Sequence, residues 1–209
     1  MRYVVGVDFD NTITNCDELV HRLAGEMGLI APDFPCNKRQ IRDTIRLLPE
    51  GDIQWQRIQG AVYGPRLEEA RPSEGVVDFL IGCRTRGIPV FIISHKTPYA
   101  TYDPTGTNLR DAALKWLHAR GFLEGGAVGL SRKDVFFEDT REQKIRKIVT
   151  LGCTHFIDDL IETFQESCFP HNVQQILYDP HGLVGEGEVP LIPAFRTWKD
   201  IGHRVFHEQ

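Results

Sequence analysis

No apolar run of this 209-residue chain approaches the roughly 20 residues that a membrane-spanning helix needs. The first residues, Met1-Arg2-Tyr3-Val4, lead directly into an apolar segment and do not have the pattern of a signal peptide. We therefore expect no membrane association and, by default, a cytoplasmic location.

The sequence also lacks paired cysteines. Its five cysteines are odd in number and stand singly, at Cys16, Cys36, Cys83, Cys153 and Cys168. Because no CxxC pair is present, neither a zinc site nor a disulfide framework is supported. We expect reduced thiols, most of them buried.

Clustered basic residues are scarce as well. The formal net charge is -5, which disfavours a nucleic-acid-binding surface, since such surfaces normally concentrate Lys and Arg. The local basic residues, Lys38-Arg39 and the stretch from Arg42 to Arg46, have the spacing of a solvated helix face. An anion-contacting patch there is the less favoured alternative.

Short β-rich runs alternate with helical stretches along most of the chain. Strands are predicted over residues 3–8, 88–93, 134–137, 154–158 and 174–178. Helices are predicted over residues 73–86, 108–120, 141–151 and 159–168, and from Trp198 to Phe206. Ser73 should cap the first of these helices and Gly87 should end it. The pattern predicts an α/β fold, a Rossmann-like three-layer αβα sandwich with a mostly parallel sheet.

The stretch 15–70 interrupts this alternation. It contains several helical patterns and no convincing strand, and prolines separate the patterns from one another. We interpret 15–70 as a small helical insertion after the first strand. Residues 1–14 and 71–209 would then form the α/β core domain.

Two carboxylates follow the first apolar strand, in the segment Asp8-Phe9-Asp10-Asn11-Thr12. In a strand, residues i and i+2 point the same way, so Asp8 and Asp10 could converge on one site. Like charges at that distance repel each other unless a cation or a proton lies between them. The segment therefore indicates a metal site, a proton-transfer role or both.

Three further features follow in order. Ser94 comes directly after the apolar run 91–93, Lys144 lies near the start of a predicted helix, and Asp158-Asp159 end another apolar run. Ligands of open α/β sheets bind at the carboxyl ends of the strands, where these residues are expected. Each feature alone has an ordinary explanation, as a turn, a helix cap or a surface lysine, but their joint order is specific.

The order DxDxT, Ser, Lys and Asp-Asp resembles the haloacid dehalogenase-like (HAD) superfamily, from Val4 to about Pro180. The resemblance implies that Asp8 is a nucleophile that takes a phosphoryl group, and that Asp10 is the general acid and base. Asp10 would also reach a metal through its backbone carbonyl. Ser94 would hold a phosphoryl oxygen, and Lys144 would offset negative charge, a role for which Lys133 and Lys147 are competitors.

The resemblance further implies a Mg²⁺ cofactor. Asp158 would ligate it directly and Asp159 would support it, so that the expected metal site comprises Asp8, Asp10, Asp158 and Asp159. The residues expected to bind substrate are Asn11, Thr12, Ser94, His95 and Lys144. The 15–70 insertion corresponds to a small cap over the active site.

The resulting expectation is a Mg²⁺-dependent phosphohydrolase that acts on a small phosphomonoester, either a sugar phosphate or a nucleotide monophosphate. Asp10 disfavours dehalogenation, because family members that cleave carbon–halogen bonds lack an acid at that position. A phosphomutase, a phospho-signalling receiver domain and a binding protein without turnover are the alternatives. A receiver domain would carry its acidic pair after the first strand and its single phosphorylated Asp on a later strand, the reverse of the order in this chain. It would also have no cap.

Overall fold

A computed structural model of the protein describes residues 3–183 and 192–207. The ends of the predicted core ranges, residues 1–2 and 208–209, lie outside the described residues, as does the segment 184–191. In chain order, the strands are β1 (Val5–Val7), β2 (Thr14–Asn15), β3 (Arg71–Pro72), β4 (Val90–His95), β5 (Val135–Glu138), β6 (His155–Asp158), β7 (Gln174–Tyr178) and β8 (Ala194–Phe195). Six of them form one sheet in the order β5-β4-β1-β6-β7-β8, and every described pairing in it is parallel.

The helices are α1 (Asp17–Glu26), α2 (Lys38–Arg46), α3 (Gly51–Tyr63), α4 (Val76–Thr85), α5 (Leu109–Ala119), α6 (Arg141–Thr150), α7 (Ile161–Gln165) and α8 (Trp198–His207). Successive residues of β4 enter different apolar clusters on opposite faces of the sheet. Ile92 belongs to the larger cluster, with residues of α4, α5 and α8, and Ile93 belongs to the smaller one, with residues of α6 and α7. Both faces of the sheet are therefore covered, which confirms the predicted three-layer α/β fold. None of the described helices has the length and apolar character needed to cross a membrane.

The centre of the sheet leaves no room for a side chain on β1 at Gly6. A Cβ atom there would lie 2.6 Å from a ring carbon of Phe156 on the neighbouring strand. The missing side chain lets the Phe156 ring lie against β1 and helps to fix the strand from which Asp8 emerges.

Several element boundaries differ from the sequence prediction. Strand 174–178 agrees with the structure, whereas β4 continues through Ser94 and His95, so Ser94 lies within the strand and not after it. The predicted N-cap Ser73 is wrong, because α4 begins after Gly75 in a left-handed conformation (φ 82°). The predicted helix 159–168 is reduced to α7, and the short strands β2, β3 and β8 were not predicted.

The helices α1, α2 and α3 form the segment between β2 and β3. These two strands pair antiparallel, with Thr14 opposite Pro72 and Asn15 opposite Arg71. The segment therefore leaves and rejoins the core at one place. Several of its apolar side chains, among them Ile41, Ile45 and Ile58, are fully buried.

The strand order reverses beside β1. The chain moves from β1 to β4 and β5 on one side, and then crosses to β6, β7 and β8 on the other. Crevices at such reversals, outside the carboxyl ends of the strands, are where open α/β sheets bind ligands. Asp8, which directly follows β1, lies at this position.

Candidate active site

The segment after β1 turns sharply. Residues Phe9–Ile13 form a short π-helical turn in which Asn11 has a left-handed backbone, with φ 60°. The hydroxyl of Thr14 stabilises the turn, because it accepts a hydrogen bond from the Asn11 amide (3.1 Å) and donates one to the Phe9 carbonyl (3.2 Å). The extended geometry needed to align Asp8 and Asp10 by strand periodicity is thus not maintained, but both side chains line the same cavity.

Lys144 joins two of the predicted site residues. Its ammonium donates to Oδ1 of Asp8 at 2.6 Å and to Oδ2 of Asp158 at 2.7 Å, and all three side chains are buried. Burial alone would lower the pKa of Lys144, but Asp158 and Asp8 raise it above its ordinary value. The side chain is therefore a cation between two carboxylates.

Asp8, Asp158 and Asp159 bring one carboxylate oxygen each within 4.8 Å of one another. Lys144 takes Oδ1 of Asp8, and among the described residues no hydrogen-bond donor reaches Oδ2 of Asp8 or Oδ2 of Asp159. Hard oxygen donors of this kind are the ligands that Mg²⁺ prefers. The donor set fits a divalent cation, and the carboxylate of Asp10 lies outside it.

The electrostatics of the cluster also fit a cation. Burial raises the pKa of Asp158, which Lys144 opposes, and raises the pKa of Asp159 well above its ordinary value, which Lys38 opposes. Carboxyl groups with raised pKa values hold their negative charge against a free-energy cost. A divalent cation would remove that cost.

Asp10 has a separate cationic partner. The ammonium of Lys96 lies 3.0 Å from Oδ1 and 2.8 Å from Oδ2 of Asp10. Burial raises the pKa of Asp10, and Lys96 opposes the rise. The side chain thus has an environment in which it can hold or release a proton close to the Asp8 carboxylate.

Ser94 and His95 occupy successive positions of β4 and point in different directions. Ser94 is buried and lines the cavity beside Asp8. The His95 ring nitrogen Nε2 lies 3.0 Å from the Asp139 carbonyl oxygen, and burial lowers the pKa of the ring. His95 also lines the cavity, as a group that favours its neutral form.

The two remaining candidates connect the Asp8 segment with other parts of the site. The Thr12 hydroxyl accepts a hydrogen bond from the Asp159 amide at 3.1 Å and is itself buried, so Thr12 positions Asp159. The Asn11 Nδ2 group donates to the Tyr63 hydroxyl of α3 at 3.1 Å. Asn11 thus links the segment after β1 to the inserted helices, and its Oδ1 is buried with no hydrogen-bond partner among the described residues.

A cavity of about 330 Å³ contains most of these groups. Its floor is formed by Asp8, Asp10, Ser94 and Lys144, and its roof comes from α2, from α3 and from the loop after β4. Roof residues include Lys38, Gln56, Gln59, Tyr63, Thr97, Tyr99 and Thr101. The inserted helices thus cover one side of the site and contribute polar side chains to it.

Comparisons with known proteins agree with this arrangement at the level of the fold. No protein-family model matches the chain, and no curated protein matches its sequence. The HAD-hydrolase YfnB from Bacillus subtilis, bound to magnesium, is 14% identical, with a TM-score of 0.59 over 99% of this chain and 100% of its own. A HAD-superfamily hydrolase from Ehrlichia chaffeensis is 15% identical, with a TM-score of 0.55 over 98% and 97%. A dehalogenase, analysed as an intermediate complex, is 13% identical, with a TM-score of 0.57 over 96% and 95%.

The chain has the haloacid dehalogenase-like fold.

Within that fold, Lys96 was not among the residues predicted from the sequence. Its position gives a signal that could have identified it, because Ser94 and Lys96 are two residues apart at a strand end and point to the same side. His95, which was predicted, points toward Asp139.

Lys38 was also assigned differently from the sequence. Lys38 was interpreted as part of a solvated helix face, but its side chain is half-buried and lines the cavity, so that interpretation is wrong for this residue. The ring of Tyr63 is buried, and its hydroxyl accepts a hydrogen bond from Asn11. Of the five cysteines, Cys16, Cys83 and Cys153 are buried, and all five are free thiols.

Proposed function

We propose that the protein is a Mg²⁺-dependent phosphohydrolase that acts on a small phosphomonoester through an aspartyl-phosphate on Asp8. The observation that carries the proposal is the position of Asp10. This second carboxyl group, with a raised pKa, lines the same cavity as Asp8 and is separate from the three-carboxylate cluster. In the proposed mechanism, Asp10 is the proton donor and Asp8 is the nucleophile.

In the first step, an oxygen of Asp8 attacks phosphorus in line with the leaving oxygen. Lys144 holds Oδ1 of Asp8 and so fixes the orientation of the carboxylate that attacks. The bond between phosphorus and the leaving oxygen breaks, and its electron pair goes to that oxygen, which takes the proton of Asp10. Ser94 hydrogen-bonds a phosphoryl oxygen, and Lys144 offsets the charge that develops there.

In the second step, water attacks the phosphorus of the aspartyl-phosphate. Asp10, now a carboxylate, takes a proton from this water. The bond between phosphorus and Asp8 breaks, and inorganic phosphate and the Asp8 carboxylate are released. Lys96 stabilises the ionised form of Asp10 between the two steps.

Mg²⁺ would be held by Asp8, Asp158 and Asp159, and when bound it would neutralise charge on the phosphoryl oxygens. The backbone carbonyl of Asp10 remains a predicted additional ligand. Thr12 contributes indirectly, since its hydroxyl holds the Asp159 backbone at 3.1 Å.

Dehalogenation is the second candidate, because two of the structures that share the fold are named dehalogenases. A halide leaves as a stable anion and needs no proton, whereas an alkoxide leaving from phosphorus does. In a dehalogenase, Asp10, paired with Lys96, would have no leaving group to protonate. The pair therefore favours phosphoryl transfer.

The cavity limits the size and polarity of the leaving group. A volume of about 330 Å³ is at the low end for small-molecule sites. Because Gln56, Gln59 and Thr101 line its roof, the cavity offers hydrogen bonds to a hydroxylated leaving group. A sugar phosphate is favoured over a nucleotide monophosphate on this basis.

The test is phosphate release from an aryl phosphate and from panels of sugar phosphates and nucleotide monophosphates, with and without Mg²⁺. We expect Mg²⁺-dependent release that Asp8→Asn reduces at least about 1000-fold. Halide release from 2-chloro acids, without phosphate release, would establish the dehalogenase. Interconversion of sugar phosphates without net release, with Asp8 labelled, would identify a phosphomutase.

A further inference from the structure

Four cationic side chains line the cavity, and three of them have carboxylate partners. Lys96 pairs with Asp10, Lys144 pairs with Asp8 and Asp158, and Arg141 pairs with Glu166. Lys38 is the fourth. Among the described residues, no carboxylate oxygen lies within ion-pair distance of its ammonium.

Lys38 is nevertheless held over the site. It is the first residue of α2, and the Asn37 side chain caps that helix by accepting a hydrogen bond from the Gln40 amide. The Asp17 carboxylate accepts a hydrogen bond from the Lys38 amide at 3.0 Å. The Lys38 ammonium lies 5.6 Å from the centre of the Tyr63 ring. The backbone of Lys38 is thus fixed and its ammonium lies near an aromatic ring, while no carboxylate of the described residues pairs with that ammonium.

The surroundings of Lys38 place its ammonium near the reacting groups. Burial would lower its pKa, but Tyr63 and Asp159 raise it above the ordinary value. Lys38 likewise acts on Asp10, whose pKa it lowers. Lys38, Asp159 and Asp10 line the same cavity, so the ammonium is within electrostatic reach of both carboxylates.

The charges in the site balance only when Lys38 is counted. Lys96 and Lys144 neutralise two of the four carboxylates, and a divalent cation would neutralise the other two. A phosphomonoester dianion then adds two negative charges, of which the proton on Asp10 offsets one. Lys38 offsets the second, and half-buried charges without such compensation are costly.

We propose that Lys38, from the inserted helix α2, is a substrate-contacting residue that binds the phosphoryl group together with Ser94 and Lys144. The inference rests on the proposed phosphohydrolase function. The phosphate site is then completed by the cap and not by the core alone. Through Lys38, α2 would contact the bound phosphoryl group directly.

The test is the affinity for inorganic phosphate, measured by phosphorus NMR titration at saturating MgCl₂. A charge-assisted hydrogen bond is lost in Lys38→Met, so we expect affinity to fall about tenfold. Lys38→Arg keeps the charge and should lose no more than about threefold. Arg39→Met removes the same charge from the neighbouring exposed position of α2, which does not line the catalytic cavity, and should bind phosphate as the wild type does.

Equal phosphate affinity in Lys38→Met and the wild type would overturn the role of Lys38 and leave the phosphohydrolase proposal intact. An equal loss in Arg39→Met would also overturn it, since the effect would then be long-range charge. Failure of the wild type to bind phosphate with Mg²⁺ would instead reject the proposed function, and the inference with it. Thermal melts of each variant establish that the protein measured is folded.

Discussion

The ammonium of Lys96 lies 2.8 Å from the nearer carboxylate oxygen of Asp10, although the two residues are 86 positions apart in the chain. Lys96 is buried and the Asp10 side chain is 19% exposed. The pair lies at the top of the sheet, where β4 runs beside β1. It links the proposed general acid and base to the strand that carries Ser94.

The first prediction concerns the pH dependence of Lys96→Met. Burial raises the pKa of Asp10 and Lys96 lowers it, so the substitution raises that pKa further. The leaving-group step needs the protonated form, which is lost as the pH rises through the pKa. The alkaline limb of the kcat/KM profile should therefore move to higher pH. An unchanged limb, or one moved to lower pH, would show that Asp10 is not the acid.

The second prediction distinguishes Lys144 from its neighbour Lys147. Lys144→Met leaves Asp8 and Asp158 buried without their cation, and we expect a loss of about 3 kcal/mol in the free energy of unfolding. Lys147 pairs with Glu138 at 3.3 Å and is 31% exposed, so Lys147→Met should cost less than about 1 kcal/mol.

Urea denaturation of both variants in metal-free buffer checks this difference. Turnover should fall at least about 100-fold in Lys144→Met and little in Lys147→Met. A larger effect at Lys147 on both measurements would assign the catalytic role to that lysine.

The third prediction concerns the metal-free protein and Asp159. Because its folded-state pKa is raised well above the ordinary value, its contribution to stability is fully present below a pH of about 3.8 and is lost as the pH rises through the folded pKa. Metal-free Asp159→Asn should therefore melt at a higher temperature than the wild type at pH 8. The difference should shrink toward acid pH.

Magnesium should reverse that order. Ligand at about 100 times its dissociation constant stabilises a protein by about 2.7 kcal/mol, and the gain requires the carboxylates of the cluster. We expect Mg²⁺ to raise the melting temperature of the wild type at pH 8 and to have little effect on Asp159→Asn. An equal rise in both proteins would place the metal elsewhere.

The fourth prediction concerns Ser94→Ala. Ser94 is 1% exposed and contributes only a hydroxyl to the cavity. Its loss should raise KM and reduce kcat/KM about tenfold or more, because a phosphoryl oxygen loses a donor. The free energy of unfolding should change by less than about 1.5 kcal/mol. A large loss of stability with unchanged KM would show that Ser94 is structural.

Much of the fold and part of the site could be predicted from the sequence, because both depend on strand ends. Apolar runs identify β1 and β6, and polar residues that follow or end such runs lie at one edge of a parallel sheet. Asp8 and Asp158 are found in this way, and Lys144 follows from the order of the motifs. Their convergence on one ammonium is then a consequence of strand order.

The parts that escaped prediction depend on where side chains meet across the fold. Lys38 looks like any other basic residue of an amphipathic helix, and only the packing of α2 over the sheet brings it to the cavity. Tyr63 has an apolar ring and a polar end, and the sequence does not show which end has a partner. The left-handed backbone of Asn11 belongs to a turn that the Thr14 hydroxyl stabilises, and this turn allows the Asn11 side-chain amide to donate to Tyr63.

The antiparallel pairing of β2 with β3 bears on how the inserted segment between them could be exchanged in evolution. The segment that roofs the cavity is attached where Asn15 faces Arg71, so its two ends are already neighbours. Exchanging it for a helical segment of another length adds little loop-closure entropy and need not alter the distance between β1 and α4. The residues proposed for catalysis lie in the core and Lys38, proposed to contact the substrate, lies in the inserted segment, so the two sets can change independently in evolution.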